Sequence, residues 1–297
     1  LTGSVWAHLG FGIVVDRHGR IVFLDSVRSR VWAVDGGGRL VALATDKHGD
    51  NLVLDPNGNL FVENTNASLW KIVPDGKVTE VNLPGQGRRG VGSLDELLAV
   101  DRSGNFYFAA GNAFIKREPQ LLKMTPDGRV SNFAGSTAGH ADGKGSQAKF
   151  KSVTSAAWGP DGSLYVTDGN AVRKVAPDGA VTTVASGLGV EAPAAPPLGE
   201  LLGLTVDARG NVYVADSGKK CVWRIAPQGE VTAVMTSQSP WVPVGVAVAE
   251  AQSGAQLYVL ERRFYAGAAS VIQSHLMTCR VAKVAPEGKT TILVTVK

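Results

Sequence analysis

Five fragments that superpose without a gap constrain this chain more than any other feature. They are "GIVVDRHGRIVFLD" (12–25), "NLVLDPNGNLFVEN" (51–64), "LLAVDRSGNFYFAA" (97–110), "SAAWGPDGSLYVTD" (155–168) and "GLTVDARGNVYVAD" (203–216). A sixth, "GVAVAEAQSGAQLYVLE" (245–261), fits once a longer turn is allowed. Self-similarity at a spacing of 39 to 58 residues marks an array of supersecondary units, none of which buries its apolar faces alone. Each fragment holds two short β-branched or aromatic runs around a turn such as Pro56-Asn57-Gly58, where Gly supplies the backbone freedom a tight turn needs. A third apolar run follows, then a second turn ("DGGG" at 35, "PDG" at 74, 126 and 177, "PQG" at 227, "PEG" at 286), then a fourth run such as "VTTVAS" at 181.

Six such units fill the 297 residues, so the sequence predicts one all-β domain over 1–297. The period and content are those of a six-bladed β-propeller, with four antiparallel strands per blade arranged radially about a central tunnel. No segment carries a helical period, and no apolar run reaches the roughly 18 residues of a membrane helix, so no membrane span is expected. Apolar residues at 44% suffice for a sizeable core. The net charge of +4 is scattered, with short pairs at Arg88–Arg89, Lys219–Lys220 and Arg262–Arg263, which gives no basic face for nucleic acid. Cys221 and Cys279 form neither a disulfide framework nor a metal pattern, and a single bridge between them stays open. The chain starts at Leu1 without Met, which fits a trimmed form, secreted or periplasmic after loss of a signal peptide, and leaves the compartment open.

In a four-stranded blade the first strand lines the tunnel. Loops leading into it share a face with loops joining the second and third strands, and sites collect on such loops. Five places before the residue that ends each inner strand stand Phe11, Asp50, Glu96, Thr154, Leu202 and Val244. A core-facing strand start needs no carboxylate, and an unpaired buried one is costly. Asp50 and Glu96, side by side, would raise one another's pKa unless a cation or a proton lay between them. The alternatives are hydrogen bonding to neighbouring amides or a structural ion. His48 precedes Asp50 by two residues and joins the candidate catalytic set of Asp50, Glu96 and His48. Phe11, Leu202 and Val244 would form an apolar wall, with Thr154 a polar contact. His8, His140 and His275 fall on the same face, and His18 on the opposite one. The long segments 111–120, 134–152, 186–200 and 262–278 are assigned to the mouth face as lids or partner loops, with Phe114, Arg117, Arg262, Tyr265 and Met277 as a roof. Trp32, Trp70 and Trp223 share one third-strand position and read as packing between blades. Asp25, Asp168 and Asp216, ending second strands, read as ties for the loops that follow.

The stretch "VTSAAWGPDGSLYVTDGNAVRKVAPDG" (153–179) resembles the NHL pattern "PxGIAVDxxGNLYVADSxNxRIxKIxPDG", and "FAGSTAGHADGKGSQAKF" (133–150) resembles the Gly-Asp-Gly connector that leads into NHL blades. The resemblance covers nearly the whole chain and reaches the related gluconolactonase/senescence-marker lactonases, the amidating lyase and the strictosidine-synthase-like propellers. In the lactonases it implies Glu, Asn and Asp holding a divalent ion at the mouth, and in the lyase zinc-binding histidines. Here only Asp50 and Glu96 match as metal ligands, with Thr154 a weaker oxygen, while Phe11, Leu202 and Val244 depart from both patterns. The expected cofactor is a divalent cation, Ca or Mg rather than Zn, or none, with the carboxylates acting as acid and base. The expected function is a lactonase/hydrolase- or lyase-like enzyme acting on a small, partly apolar organic substrate. The alternative is a non-catalytic propeller binding a protein, a peptide or a small ligand through its long loops.

Overall fold

The computed structural model describes residues 12–47, 49, 51–64, 68–83, 96–111, 118–189, 201–251, 254–263 and 278–296. They form six antiparallel sheets, one per repeat. Blade 1 comprises β1 (Ile13–Val15), β2 (Ile21–Asp25), β3 (Arg30–Val34) and β4 (Leu40–Ala44), and blade 2 comprises β5 (Leu52–Leu54), β6 (Leu60–Asn64), β7 (Ser68–Ile72) and β8 (Val78–Asn82). Blade 3 holds β9 (Glu96–Val100), β10 (Phe106–Ala110), β11 (Gln120–Met124) and β12 (Val130–Ala134). Blade 4 adds β13 (Gly143–Lys144) outside β14 (Ala156–Trp158), β15 (Leu164–Asp168), β16 (Ala171–Val175) and β17 (Ala180–Ala185). Blade 5 is β18 (Leu201–Val206), β19 (Val212–Asp216), β20 (Cys221–Ile225) and β21 (Val231–Thr236). Blade 6 is β22 (Trp241–Ala251), β23 (Gly254–Arg263), β24 (Thr278–Val284) and β25 (Thr290–Val296). Among the described residues the helical content is two short 3-10 turns, and no helix is long and apolar enough to cross a membrane.

Burial follows position in the blade. The second strands β2, β15 and β19 are buried at every residue, because neighbouring blades cover both faces, while the outer strands alternate with solvent. Six apolar clusters hold the ring, each filling one seam between adjacent blades. The seam that closes the circle joins Ile13, Phe23 and Val34 to Leu260, Val281 and Val296, so blade 6 is complete from C-terminal residues and meets blade 1 by packing. Trp32, Trp70 and Trp223 sit in three of these seams, as their shared position suggested.

The inner strands touch in the order β1, β5, β9, β14, β18, β22 and back to β1. They approach closely enough to demand glycine. A Cβ on Gly12 would lie 2.3 Å from Leu52 Cβ, and one on Gly203 would lie 2.7 Å from Gly245 Cα. In blades 2, 3 and 5 the hairpin after the inner strand is clamped from within. In Asp55, Asp101 and Asp207, Oδ1 accepts the amides two and four residues on, and Oδ2 accepts the side chain of Asn59, Asn105 or Asn211. That arrangement is the physical content of the repeated Asp-x-x-Gly-Asn spacing. Cys221 and Cys279 are separate buried thiols rather than a bridge. Burial pushes their pKa values up, to about 12 and about 11.

The candidate site at the tunnel mouth

Where the inner strands begin, one half of the ring is polar. In blade 2, Asn51 is buried; its Nδ2 donates to Leu97 O of blade 3 at 2.9 Å, and its Oδ1 accepts the amide of Leu52 at 2.9 Å. Glu63, also buried, brings Oε2 to within 3.4 Å of the amide N of Leu97. The residue before Leu97 is Glu96, half-buried at the start of β9 and opposite Ala109. Glu63 of blade 2 thus meets the backbone of β9 one residue from Glu96. In blade 4, Thr154 Oγ1 lies 2.7 Å from Thr167 Oγ1 and donates to Leu201 O of blade 5 at 2.9 Å. Ser155 Oγ accepts the amide of Leu204 at 3.2 Å.

In blades 5 and 6 the described positions there are apolar and buried. Leu202 and Val244 are 1% and 0% exposed and belong to the cluster that joins blades 5 and 6 to blade 1. The wall expected of them is, at these two positions, inter-blade core. The cause is local. β-bulges between Leu201 and Leu204 and between Pro243 and Gly245 add residues to the inner strand, so counting back from the turn no longer gives the direction of a side chain. Arg262, expected in a roof, is 1% exposed and reaches across the closing seam to Leu24 O and Ser26 Oγ, both at 3.3 Å. The connector 134–152, expected as a mouth loop, is partly built into blade 4, where β13 pairs with β17 and Gly145 N donates to Gly179 O at 2.9 Å, while His140, Lys151 and Ser152 meet Asp168 at the mouth-side end of β15. Phe11, His48, Asp50, Phe114, Arg117 and Tyr265 lie outside the described residues. So do His8, His275 and Met277.

Of the loop-tying aspartates, Asp25 holds the loop that follows, Asp216 holds that loop and the one entering its own blade, and Asp168 holds the entering loop in its place. Asp168 accepts the amides of Lys151 and Ser152, Asp216 those of Gly189 and Lys219, and Asp25 that of Arg28. Glu63 is the residue that counting positions missed. Its equivalents in the other five repeats are Leu24, Ala109, Thr167, Ala215 and Leu260, so an acid in that column was a visible departure. Among the described residues no three or more His, Cys, Asp or Glu side chains converge as a metal site. A recess of about 10 Å³ lies at the opposite face, against Asp16, Arg20 and Pro74, and holds no more than one water.

A family model described as SMP-30/Gluconolactonase/LRE-like region matches residues 9–260. The match falls on the lactonase side of the resemblance, and the NHL pattern fits only loosely. No curated protein matches the chain by sequence. Among solved structures, a gluconolactonase from Xanthomonas campestris superposes with a TM-score of 0.60 at 16% identity, over 86% of this chain and 84% of that one. Virginiamycin B lyase from Staphylococcus aureus gives 0.54 at 16% identity, over 98% and 85%. The calcium-binding protein regucalcin from Agrobacterium tumefaciens gives 0.57 at 15% identity, over 91% and 88%. These likenesses establish the shared propeller.

Proposed function

The chain belongs to the SMP-30/gluconolactonase/LRE-like family, and from that premise we propose that it is an enzyme acting at the tunnel mouth on a small, partly apolar organic substrate, by hydrolysis of a lactone or related ester. The observation that carries this reading is Glu63. It is a buried carboxylate on the amide of Leu97, next in sequence to Glu96, in a repeat column that is otherwise apolar or hydroxylic.

Glu63 is assigned as the base: its carboxylate takes a proton from water as the water oxygen bonds to the substrate carbonyl carbon. As the ring C–O bond breaks, the same proton is returned to the departing alkoxide oxygen, with Glu96 sharing it between the two carboxylates. The same base would serve a lyase by removing a proton next to a carbonyl. Asp50 with His48 would extend this relay, and Phe11, Phe114, Arg117 and Tyr265 would contact the substrate, with Thr154 on the polar side.

Regucalcin is a calcium-binding protein, so the donor set here matters. A hard cation takes six to eight oxygens. Glu63 and Glu96 supply carboxylates, but the Asn51 amide is committed to Leu97 and Leu52. These donors fall short of a shell for calcium or magnesium, which would need Asp50 and further oxygens, and their oxygen chemistry does not suit zinc. Glu63 and Glu96, with Asp50, would be the residues to hold such a cation, which would polarise the substrate carbonyl, while the carboxylates move the proton.

The test is turnover of a panel of small lactones and aryl esters by the purified chain and by a folded Glu96→Gln variant. Hydrolysis by the wild type that drops about 100-fold in the variant supports the reading. Saturable binding of the panel without turnover would instead support a binding propeller.

A further inference from the structure

In blade 6 the column of loop-tying aspartates is occupied by Glu261, and its partners differ in kind. Asp168 and Asp216 each accept two backbone amides besides a side-chain N–H, of Arg173 and Trp223, whereas the donor to Glu261 among the described residues is Nε of Arg280, directly across the ladder, at 2.6 Å. Glu261 is 0% exposed, and its Oε1 has no hydrogen-bond partner. The residues facing the aspartates in blades 4 and 5 are the small Ala171 and Cys221. Blade 1 also sets an arginine there, Arg30 opposite Asp25, but there the carboxylate is held by Arg28, whereas in blade 6 the acid and the arginine across the ladder hold each other.

The guanidinium of Arg280 lies 4.2 Å from the ring centroid of Trp241, the first residue of β22. Held by Glu261 at Nε and by Trp241 on its face, the group is fixed in orientation. Its two terminal nitrogens, the pair that forms a bidentate fork, have no acceptor among the described residues. Trp241, Glu261 and Arg280 occupy the mouth-side ends of β22, β23 and β24, the same end at which the inner strands begin. The seam between blades 5 and 6 continues the pattern. Ser237, two residues beyond Met235 of that seam's cluster, is 6% exposed with an unpartnered hydroxyl.

We propose that Arg280, oriented by Glu261 and Trp241, forms a carboxylate-binding subsite at the mouth-side seam of blades 5 and 6. The ligand class is a small organic acid whose carboxylate accepts from both terminal nitrogens of Arg280 and whose apolar part lies against Trp241. Glu261 is a positioning residue in this subsite and touches no ligand. The subsite stands independently of the Glu63–Glu96 pair, and loss of either reading leaves the other testable.

The experiment is calorimetric titration of the full chain with benzoate and with its neutral analogue benzamide, at low ionic strength. Benzoate is expected to bind at least about tenfold tighter than benzamide, and to weaken at least about tenfold in Arg280→Gln, while Arg129→Gln, an exposed control, leaves it unchanged. Weakening of benzoate in Glu261→Gln that is smaller than in Arg280→Gln supports the positioning role. Benzoate binding no tighter than benzamide, or unaltered by Arg280→Gln, overturns the proposal. The wild-type comparison alone decides it if the Arg280 variant does not fold.

Discussion

The guanidinium of Arg173 lies 2.8 Å from the carboxylate of Asp168, and neither side chain has any exposure to solvent. The same guanidinium reaches Ala141 O and the carboxylate of Asp142, each at 2.8 Å, so it fastens the connector onto blade 4. Removing one partner of a buried pair strands the other. Arg173→Met should lower unfolding stability by about 3–5 kcal/mol and Asp168→Ala by a similar amount. Because the residues couple directly, the double variant should be less destabilised than the sum of the two. Urea unfolding of the three variants checks both statements.

The inner ring should resist the smallest added side chain. Gly203→Ala would put Cβ 2.7 Å from Gly245 Cα, where backbone has to give way. A loss of about 1–3 kcal/mol is expected, seen as a drop in Tm. Gly36→Ala, with no atom within 4 Å of its added Cβ, serves as the control and should change Tm little.

The turn aspartates set the acid limb of stability. Burial acts to raise the pKa of Asp101, but hydrogen bonds from Asn105, Tyr107 and Ser103 outweigh it and hold the group below its ordinary 3.8. A pKa lowered on folding contributes stability that is complete above the unfolded value and is lost as pH falls through the folded one. Asp101→Ala should cost about 1–2 kcal/mol at neutral pH, and that cost should shrink as pH falls below 3.8. Denaturant midpoints measured from pH 7 down to pH 3 test the sign. A cost that grows with acid would contradict it.

Both thiols should be inert in the native protein. Burial pushes Cys221 up to about 12 and Cys279 up to about 11, leaving almost no thiolate at pH 8. A thiol reagent is expected to titrate none quickly in buffer and both in guanidinium. Rapid native labelling of Cys221 would show that its seam opens.

The architecture was legible because its causes are local and repeated. Gly58 and Gly210 lie at positive φ in the hairpins that the sequence marks as turns, and Asp55 and Asp207 bind those hairpins from within. The mouth was legible in part. Counting back five residues assumes a regular pleat; it falls on the first residue of β9 at Glu96 and two residues ahead of β14 at Thr154. It failed for the roles of Leu202 and Val244, because bulges there turn the side chains into the seam. Glu63 escaped because the search followed inner strands, while this acid comes from a second strand and is recruited by the next blade's backbone. Glu261 stands in the column of the loop-tying aspartates, but its pairing with Arg280 is a cross-strand contact that the column alone does not reveal.

The central claim is that Glu63 and Glu96 act together at the tunnel mouth. A kinetic double-mutant cycle on whichever lactone or ester the wild type turns over addresses it most directly. Groups that work as a unit are non-additive, so Glu63→Gln and Glu96→Gln should each reduce kcat/KM by about 100-fold, and the double variant should be no more than about threefold worse than the weaker single. Losses that multiply, or a Glu63→Gln variant with wild-type kcat/KM, would contradict the account.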